Sequence, residues 1–243
     1  MSAHPSALHP AFITSSETAL PLHAVTPETW RDCATRFGDF ACHFAEQNDF
    51  SGKDGQVICL PPQNGRLATV LFGLDHQKNE DSVFAAGRLV QALPKGDYYL
   101  GEGWKDEQAA ALAFLLGLYR FDRYKKGDPK VRRLVVPKNC DGAFLTVLAD
   151  SVCWGRDLIN TPANDMGPHD IEKAARDLAS QTQAKIHVIE GQALLSHNFP
   201  MIHAVGRAST RLPRLIDLTW GDPSHKKVTL IGKGVAFDTG GLN

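Results

Sequence analysis

The sequence predicts a soluble α/β protein, with helices packed on a largely buried sheet. Three observations carry that expectation. Short apolar runs alternate with amphipathic helical stretches along most of the 243 residues. Hydrophobic residues make up 43% and charged residues 22% of the chain, the balance of a globular rather than a disordered protein. No apolar run approaches the roughly 20 residues of a membrane helix; Ala109–Leu116 comes nearest and is followed by Tyr119, Arg120 and Asp122. With 26 basic and 27 acidic residues, the net charge of −1 rules out a strongly basic nucleic-acid scaffold as the default.

The elements follow in order. The first 25 residues show no clear period and are expected to hold a disordered start or a weak first strand. Thr26-Pro27-Glu28 joins a capping hydroxyl to a proline suited to a first helical position. From there to about Gln47, Trp30, Cys33, Phe37, Phe40 and Phe44 recur every three or four residues, the spacing of one or two amphipathic helices. Gln56–Leu60 and Leu67–Leu74 are apolar runs separated by Pro61-Pro62-Gln63-Asn64-Gly65, which reads as a hairpin. A helix is expected from Asp81 through Ala85, Leu89 and Leu93, ended by Pro94 and Gly96, with a short strand at Asp97–Leu100.

Asp106 caps a helix from Glu107 to about Phe121 that is apolar on nearly every face and so expected to be buried. Val131–Val136 reads as a strand closed by Pro137, and Asp141 starts a long helix that Thr161-Pro162 stops near Asn160. Pro168 opens a helix to about Ser180. Strands are expected at Lys185–Ile189, Leu215–Trp220 and Val228–Ile231, with a further short segment near Met201–Val205.

The five cysteines, Cys33, Cys42, Cys59, Cys140 and Cys153, are widely spaced and include no C-x-x-C pair. That pattern argues against a zinc ribbon or a disulfide framework and for buried free thiols. Met1–Pro21 lacks the basic start and apolar core of a signal peptide, so a reducing cytoplasm is the expected compartment. The ten histidines form no H-E-x-x-H pair; His43, His187 and His203 sit in apolar or amphipathic runs and are expected to be hydrogen-bonded structural side chains. The cluster from Arg120 to Lys126 mixes basic and aromatic residues, yet Asp122 and Asp128 make a solvated helix end the better reading than a nucleic-acid patch.

Chemistry concentrates at the end of the sequence, where the apolar run Val228–Ile231 enters Gly232-Lys-Gly-Val-Ala-Phe-Asp-Thr-Gly-Gly-Leu-Asn243. Open α/β sheets place ligands at the carboxyl ends of strands. The dinucleotide fingerprint G-x-G-x-x-G fails because Phe237 stands where the third glycine belongs. A phosphate loop fails too, because Lys233 precedes the second glycine and Gly234 follows it. A simple turn at Gly240-Gly241 with a surface Lys233 is the plainest reading of composition alone.

The full string closely resembles the metal-site motif of the leucyl aminopeptidase (cytosol aminopeptidase) family. Gly155-Arg-Asp-Leu-Ile-Asn-Thr-Pro-Ala-Asn164 is similar to that family's signature at the end of its interdomain helix. Ala204-Val-Gly-Arg-Ala-Ser209, followed by Pro213-Arg-Leu-Ile216, is similar to its approach to the catalytic sheet, and Ala113–Phe121 resembles a helix of its N-terminal domain. The resemblance covers roughly Glu107–Asn243 and is strongest from Arg156 onward.

The resemblance implies a small N-terminal α/β domain (1–137), then a linking helix and the first part of a larger α/β metallopeptidase domain (138–243). It implies two divalent metal ions, manganese, zinc or magnesium, with Lys233 ligating one and Asp238 bridging both. Those types suit the chemistry: a lysine ligates only as a neutral amine, which neighbouring dications favour, and one carboxylate can offer an oxygen to each ion. The implied activity is release of N-terminal residues, leucine-type, from peptides with a free N-terminus, by a hydroxide bridging the two metals. A homo-oligomer, most commonly a hexamer, is implied as well. The family's catalytic residues are expected just beyond Asn243, so no catalytic residue is expected within this chain and the 243 residues alone are expected to be inactive. The contrasting expectation is a non-catalytic binding or assembly relative of the same fold; the presence of both Lys233 and Asp238 favours the enzyme.

Overall fold

A computed structural model of the chain describes residues 8–62, 69–74, 84–127 and 131–236. The chain divides into two compact units, Met1–Trp154 and Gly155–Asn243.

The first unit is built on a six-stranded sheet in the order β1-β6-β5-β2-β4-β3. Its strands are β1 (Phe12–Ile13), β2 (Leu20–Val25), β3 (Val57–Leu60), β4 (Thr69–Gly73), β5 (Gly96–Leu100) and β6 (Arg132–Val135). Neighbours run parallel except β3 and β4, which pair antiparallel with Val57 opposite Phe72 and Leu60 opposite Thr69. This is the expected hairpin.

Side chains that alternate along each strand feed two separate layers. On one face Val25, Ile58, Leu60 and Leu71 pack with α1 (Trp30–Thr35) and α2 (Asp39–Gln47) through Trp30, Cys33, Ala34, Ala41 and Ala45. On the other, Leu22, Ala24, Val70, Phe72, Tyr98 and Leu134 meet α3 (Ala86–Ala92), α4 (Glu107–Gly117) and α5 (Gly142–Asn160). Leu71 and Phe72 are adjacent and both 0% exposed, one committed to each layer. Burying a side chain of that size stabilises by about 1.5–3 kcal/mol.

The helices start and stop for local reasons. The predicted opening at Thr26 forms a turn in which Thr29 and Trp30 donate to the Thr26 carbonyl, and regular helix begins at Trp30. Gly38, at φ 99°, separates α1 from α2. The Asp106 carboxylate accepts from the Ala109 N–H at 2.9 Å, and Asp141 accepts from Phe144 at 3.0 Å, so both predicted caps form. α4 ends not near Phe121 but at Gly117, where a Cβ would lie 2.4 Å from the Gly87 carbonyl oxygen of α3. The expected helix start at Asp81 lies outside the described residues.

The largest departure from expectation is β2. Residues 20–25, read as a weak strand at best, form the strand between β5 and β4. Pro21 is tolerated because the register with β4 begins only at Leu22, so its missing N–H falls before that ladder starts.

The second unit contains α6 (Pro168–Thr182), β7 (Lys185–Glu190), α7 (Ala193–Ser196), α8 (Pro200–Gly206) and β8 (Arg214–Thr219). Pro168 occupies the first turn of α6 as expected, and Gln183 closes it in the left-handed region at φ 58°. β7 and β8 form a two-stranded antiparallel sheet, with Ile189 opposite Leu215. Two expectations need correction. The segment near Met201–Val205 is a helix, opened by Pro200 at its first turn. Val228–Ile231 is not a strand: it has no regular structure, and Leu230 and Ile231 are each 93% exposed. A strand is held by ladder bonds to a neighbour, and no described strand pairs with this segment.

Candidate metal centre

Lys233 lies in the irregular stretch that follows β8 and is exposed. A Cβ built on Gly232 or Gly234 would meet nothing within 4 Å, so the backbone on either side of Lys233 is open. Asp238 lies outside the described residues. Among the described residues no group of three or more His, Cys, Asp or Glu is placed to hold a metal ion. An amine nitrogen and a carboxylate are donors of the type that a divalent transition metal accepts. Their number is the limit: one amine and one bridging carboxylate give at most three metal–ligand bonds, fewer than two ions require. By donor chemistry alone, Lys233 and Asp238 would supply only part of a ligand set for two ions.

The second unit does join two of the sequence segments singled out above. α5 ends at Asn160, where the Thr161 hydroxyl donates to the Asp157 carbonyl at 2.6 Å and the Asp165 and Met166 N–H groups both donate to Pro162 at 2.9 Å. Arg211, between α8 and β8, reaches this turn: its guanidinium donates to the Ala163 carbonyl at 2.8 Å and the Asn164 carbonyl at 2.5 Å. The segment around Asn160–Asn164 is thus fastened to the one around Ala204–Ile216. Arg211 was missed in the sequence because an arginine that bonds backbone carbonyls leaves no partner residue type to look for.

Beside it, Glu172 of α6 accepts hydrogen bonds from Arg176, one turn on, and from Arg214 of β8, which also lies 3.3 Å from Glu190. Burial pushes the Glu172 carboxyl up, but the bonds from Arg176 and Arg214 outweigh it and hold it below the usual carboxylate range. This cluster ties α6 to the sheet. Its spacing of Glu172 and Arg176 at i, i+4 was readable from sequence.

The histidines sort differently from expectation. His43 and His187 are exposed, and His43 sits 3.6 Å from Glu46. The half-buried, hydrogen-bonded imidazoles include His9 and His23: His23 Nδ1 accepts from the Glu102 N–H at 3.0 Å, and His9 Nδ1 accepts from the Ala11 N–H at 3.1 Å. All five cysteines are free thiols, and burial pushes Cys33 and Cys59 above the ordinary thiol value.

Residues 20–137 match the M17 aminopeptidase N-terminal domain and residues 153–243 match the catalytic domain of the cytosol aminopeptidase family. The chain belongs to that family, as its N-terminal domain and the start of its catalytic domain. Among relatives, it is 33% identical over 214 residues to a probable cytosol aminopeptidase of Wolinella succinogenes, covering 80% of this chain and 44% of that protein. The fold superposes on the crystal structure of a cytosol aminopeptidase from Coxiella burnetii with TM-score 0.77 and 32% identity, over 88% of this chain and 47% of that one. It also superposes on the bottromycin maturation enzyme BotP in complex with Mn, at TM-score 0.68 and 25% identity, over 86% and 46% of the two chains. The chain spans less than half the length of these relatives.

Proposed function

We propose that the protein containing this chain is a metal-dependent aminopeptidase that releases N-terminal residues, leucine-type, from peptides with a free N-terminus. The observation that carries this reading is the pairing of Lys233 and Asp238 in Gly232–Asn243, within the segment matched to the family's catalytic domain. The manganese named with BotP supports a divalent ion in this fold. Two bound divalent ions would supply Lewis acidity to the scissile carbonyl and an activated water for its attack. Lys233 would donate its amine to one ion and Asp238 one oxygen to each. The open glycines around Lys233 leave room for ions and substrate backbone to approach. A cytoplasmic location and a homo-oligomer, as a hexamer, complete the proposal; no helix among the described residues is long and apolar enough to cross a membrane.

The test is hydrolysis of a leucine anilide with added manganese or zinc by the complete protein. Asp238→Ala is expected to cost several orders of magnitude in turnover, while the exposed Lys138→Ala is near neutral. Residues 1–243 alone are expected to be inactive, because three ligand bonds leave two ions held mainly by water. Robust turnover by this fragment or by the complete Asp238→Ala protein would overturn the assignment.

A further inference from the structure

Among the described residues, the outer edge of β3 carries an unfilled set of backbone hydrogen bonds whose parity is fixed by the start of the hairpin. Gly55, at φ 80°, donates to the Gly73 carbonyl at 2.9 Å, and Gly73 donates back to the Gln56 carbonyl at 2.8 Å. This is a bulge of two residues opposite one, and the positive φ makes glycine the suitable residue there. Bonded and non-bonded pairs alternate along an antiparallel ladder. With Gln56 bonded to Gly73, the next bonded pairs are Ile58 with Leu71 and Leu60 with Thr69. Val57 and Cys59 therefore turn their N–H and C=O away from β4, at the free edge of the sheet. Pro61, the next position of that parity, has no N–H, so the open ladder is two residues long.

The surroundings narrow what fits there. A groove of about 410 Å³ runs along this edge, lined by Phe44, Asn48, Phe50 and β3 itself. Its polar side chains are already engaged: Asn48 Nδ2 donates to the Phe44 carbonyl, Gln56 Nε2 donates to Asp49, and Gln56 Oε1 accepts from Ser51 and Lys53. What remains open is main chain alone, which an extended polypeptide strand satisfies. No charged residue lies in Val57–Leu60 to guard the edge. Next to it Phe40, 56% exposed, packs on Phe44 at a ring separation of 6.2 Å, leaving an apolar patch on α2.

We propose that the β3 edge pairs antiparallel with β3 of a second copy of this chain, about a two-fold axis through Ile58. That axis sets Val57 of each copy opposite Cys59 of the other, and each such pair exchanges two bonds, four in all. The edge is self-complementary in donors and acceptors, as an isologous contact requires. A four-residue strand falls short of the roughly 800 Å² per partner of a stable interface, so the duplicated Phe40–Phe44 patch forms part of the same contact. The proposal names a surface for the self-association proposed above and rests on it; it is independent of the peptidase chemistry.

The test uses the complete protein. Sedimentation compares the wild type with Val57→Pro, Cys59→Pro and Cys59→Ser, and hydrogen exchange reads the Val57 and Cys59 amides. Both prolines remove N–H groups that face away from β4, so the hairpin keeps its own ladder. Each proline removes two intermolecular bonds and should weaken the association by about 10- to 100-fold, whereas Cys59→Ser, which keeps its N–H, should assemble like wild type. In the assembled wild type both amides should exchange slowly. Should the proline variants fail to fold, the exchange measurement decides alone. Fast exchange of both amides in an assembled wild type overturns this surface while leaving self-association intact. A wild type that is monomeric at micromolar concentration overturns both, and leucine anilide turnover reports separately on the peptidase reading.

Discussion

The two units of this chain handle apolar sequence in opposite ways. In Met1–Trp154 the strands lie in one sheet covered on both faces, so Leu71, Phe72, Phe114 and Leu134 are almost wholly removed from water. In Gly155–Asn243 the buried hydrophobic side chains among those described are few, Ala179, Ile189 and Leu194, while Met201, Trp220, Val228, Leu230 and Ile231 stand more than two-thirds exposed. The local sequence signals are equally strong in both. What differs is the number of strands available to one another: six in the first sheet and two in the second. Hydrophobic pattern specifies which face wants burial, but only neighbouring elements supply it.

That contrast makes measurable differences. Phe72→Ala should destabilise the first unit by about 3–5 kcal/mol, read as a lower urea midpoint; an unchanged midpoint would mean the two-layer packing is wrong. Asp106→Ala, which removes the carboxylate that caps α4, should cost about 1 kcal/mol by the same assay.

A pH dependence belongs to the first unit too. Burial lowers the His23 pKa, helped by Arg36 and opposed by Glu102, and burial lowers that of His9 against the pull of Asp150. The unfolded chain then binds the proton first. This contribution to stability is full above the ordinary value of about 6.5 and is lost as the pH falls from there through the lower folded-state value. Urea midpoints should therefore drop between pH 7.5 and 5, and His23→Gln should flatten that slope; an unchanged slope would remove His23 from the account. The smallest effect is expected in the second unit, where Leu230→Ser should alter stability of this chain by no more than about 0.5 kcal/mol.

Much of this was legible in the sequence where a signal is local. The caps at Asp106 and Asp141, the proline at the start of α6 and the period of the α1–α2 stretch all act within one or two turns, and all formed. β2 was not legible, because Leu20-Pro21-Leu22-His23 breaks the strand pattern and its place in the sheet comes from β4 and β5, 48 and 78 residues away. Val228–Ile231 failed for the converse reason: its pattern is that of a strand, and the ladder it asks for is not among the described residues. At the candidate site, Lys233 and Asp238 were readable only as members of a motif, since Lys233 has no neighbours that mark it out and Asp238 lies outside the described residues. The imidazoles went astray because burial depends on the layer a strand joins, which sequence neighbours do not reveal.

Arg211 has a consequence for how the turn after α5 tolerates change. Both of its guanidinium bonds go to carbonyl oxygens, of Ala163 and Asn164, and neither engages a side chain. The arginine therefore reads the path of the backbone and is indifferent to spelling at those two positions. Ala163→Ser leaves both acceptors where they are, whereas Arg211→Lys replaces a planar fork with a single ammonium that cannot hold two divergent carbonyls in the same way. Substitutions here sort by whether they bend the chain, and a tally of letters at 163 and 164 would miss the constraint entirely.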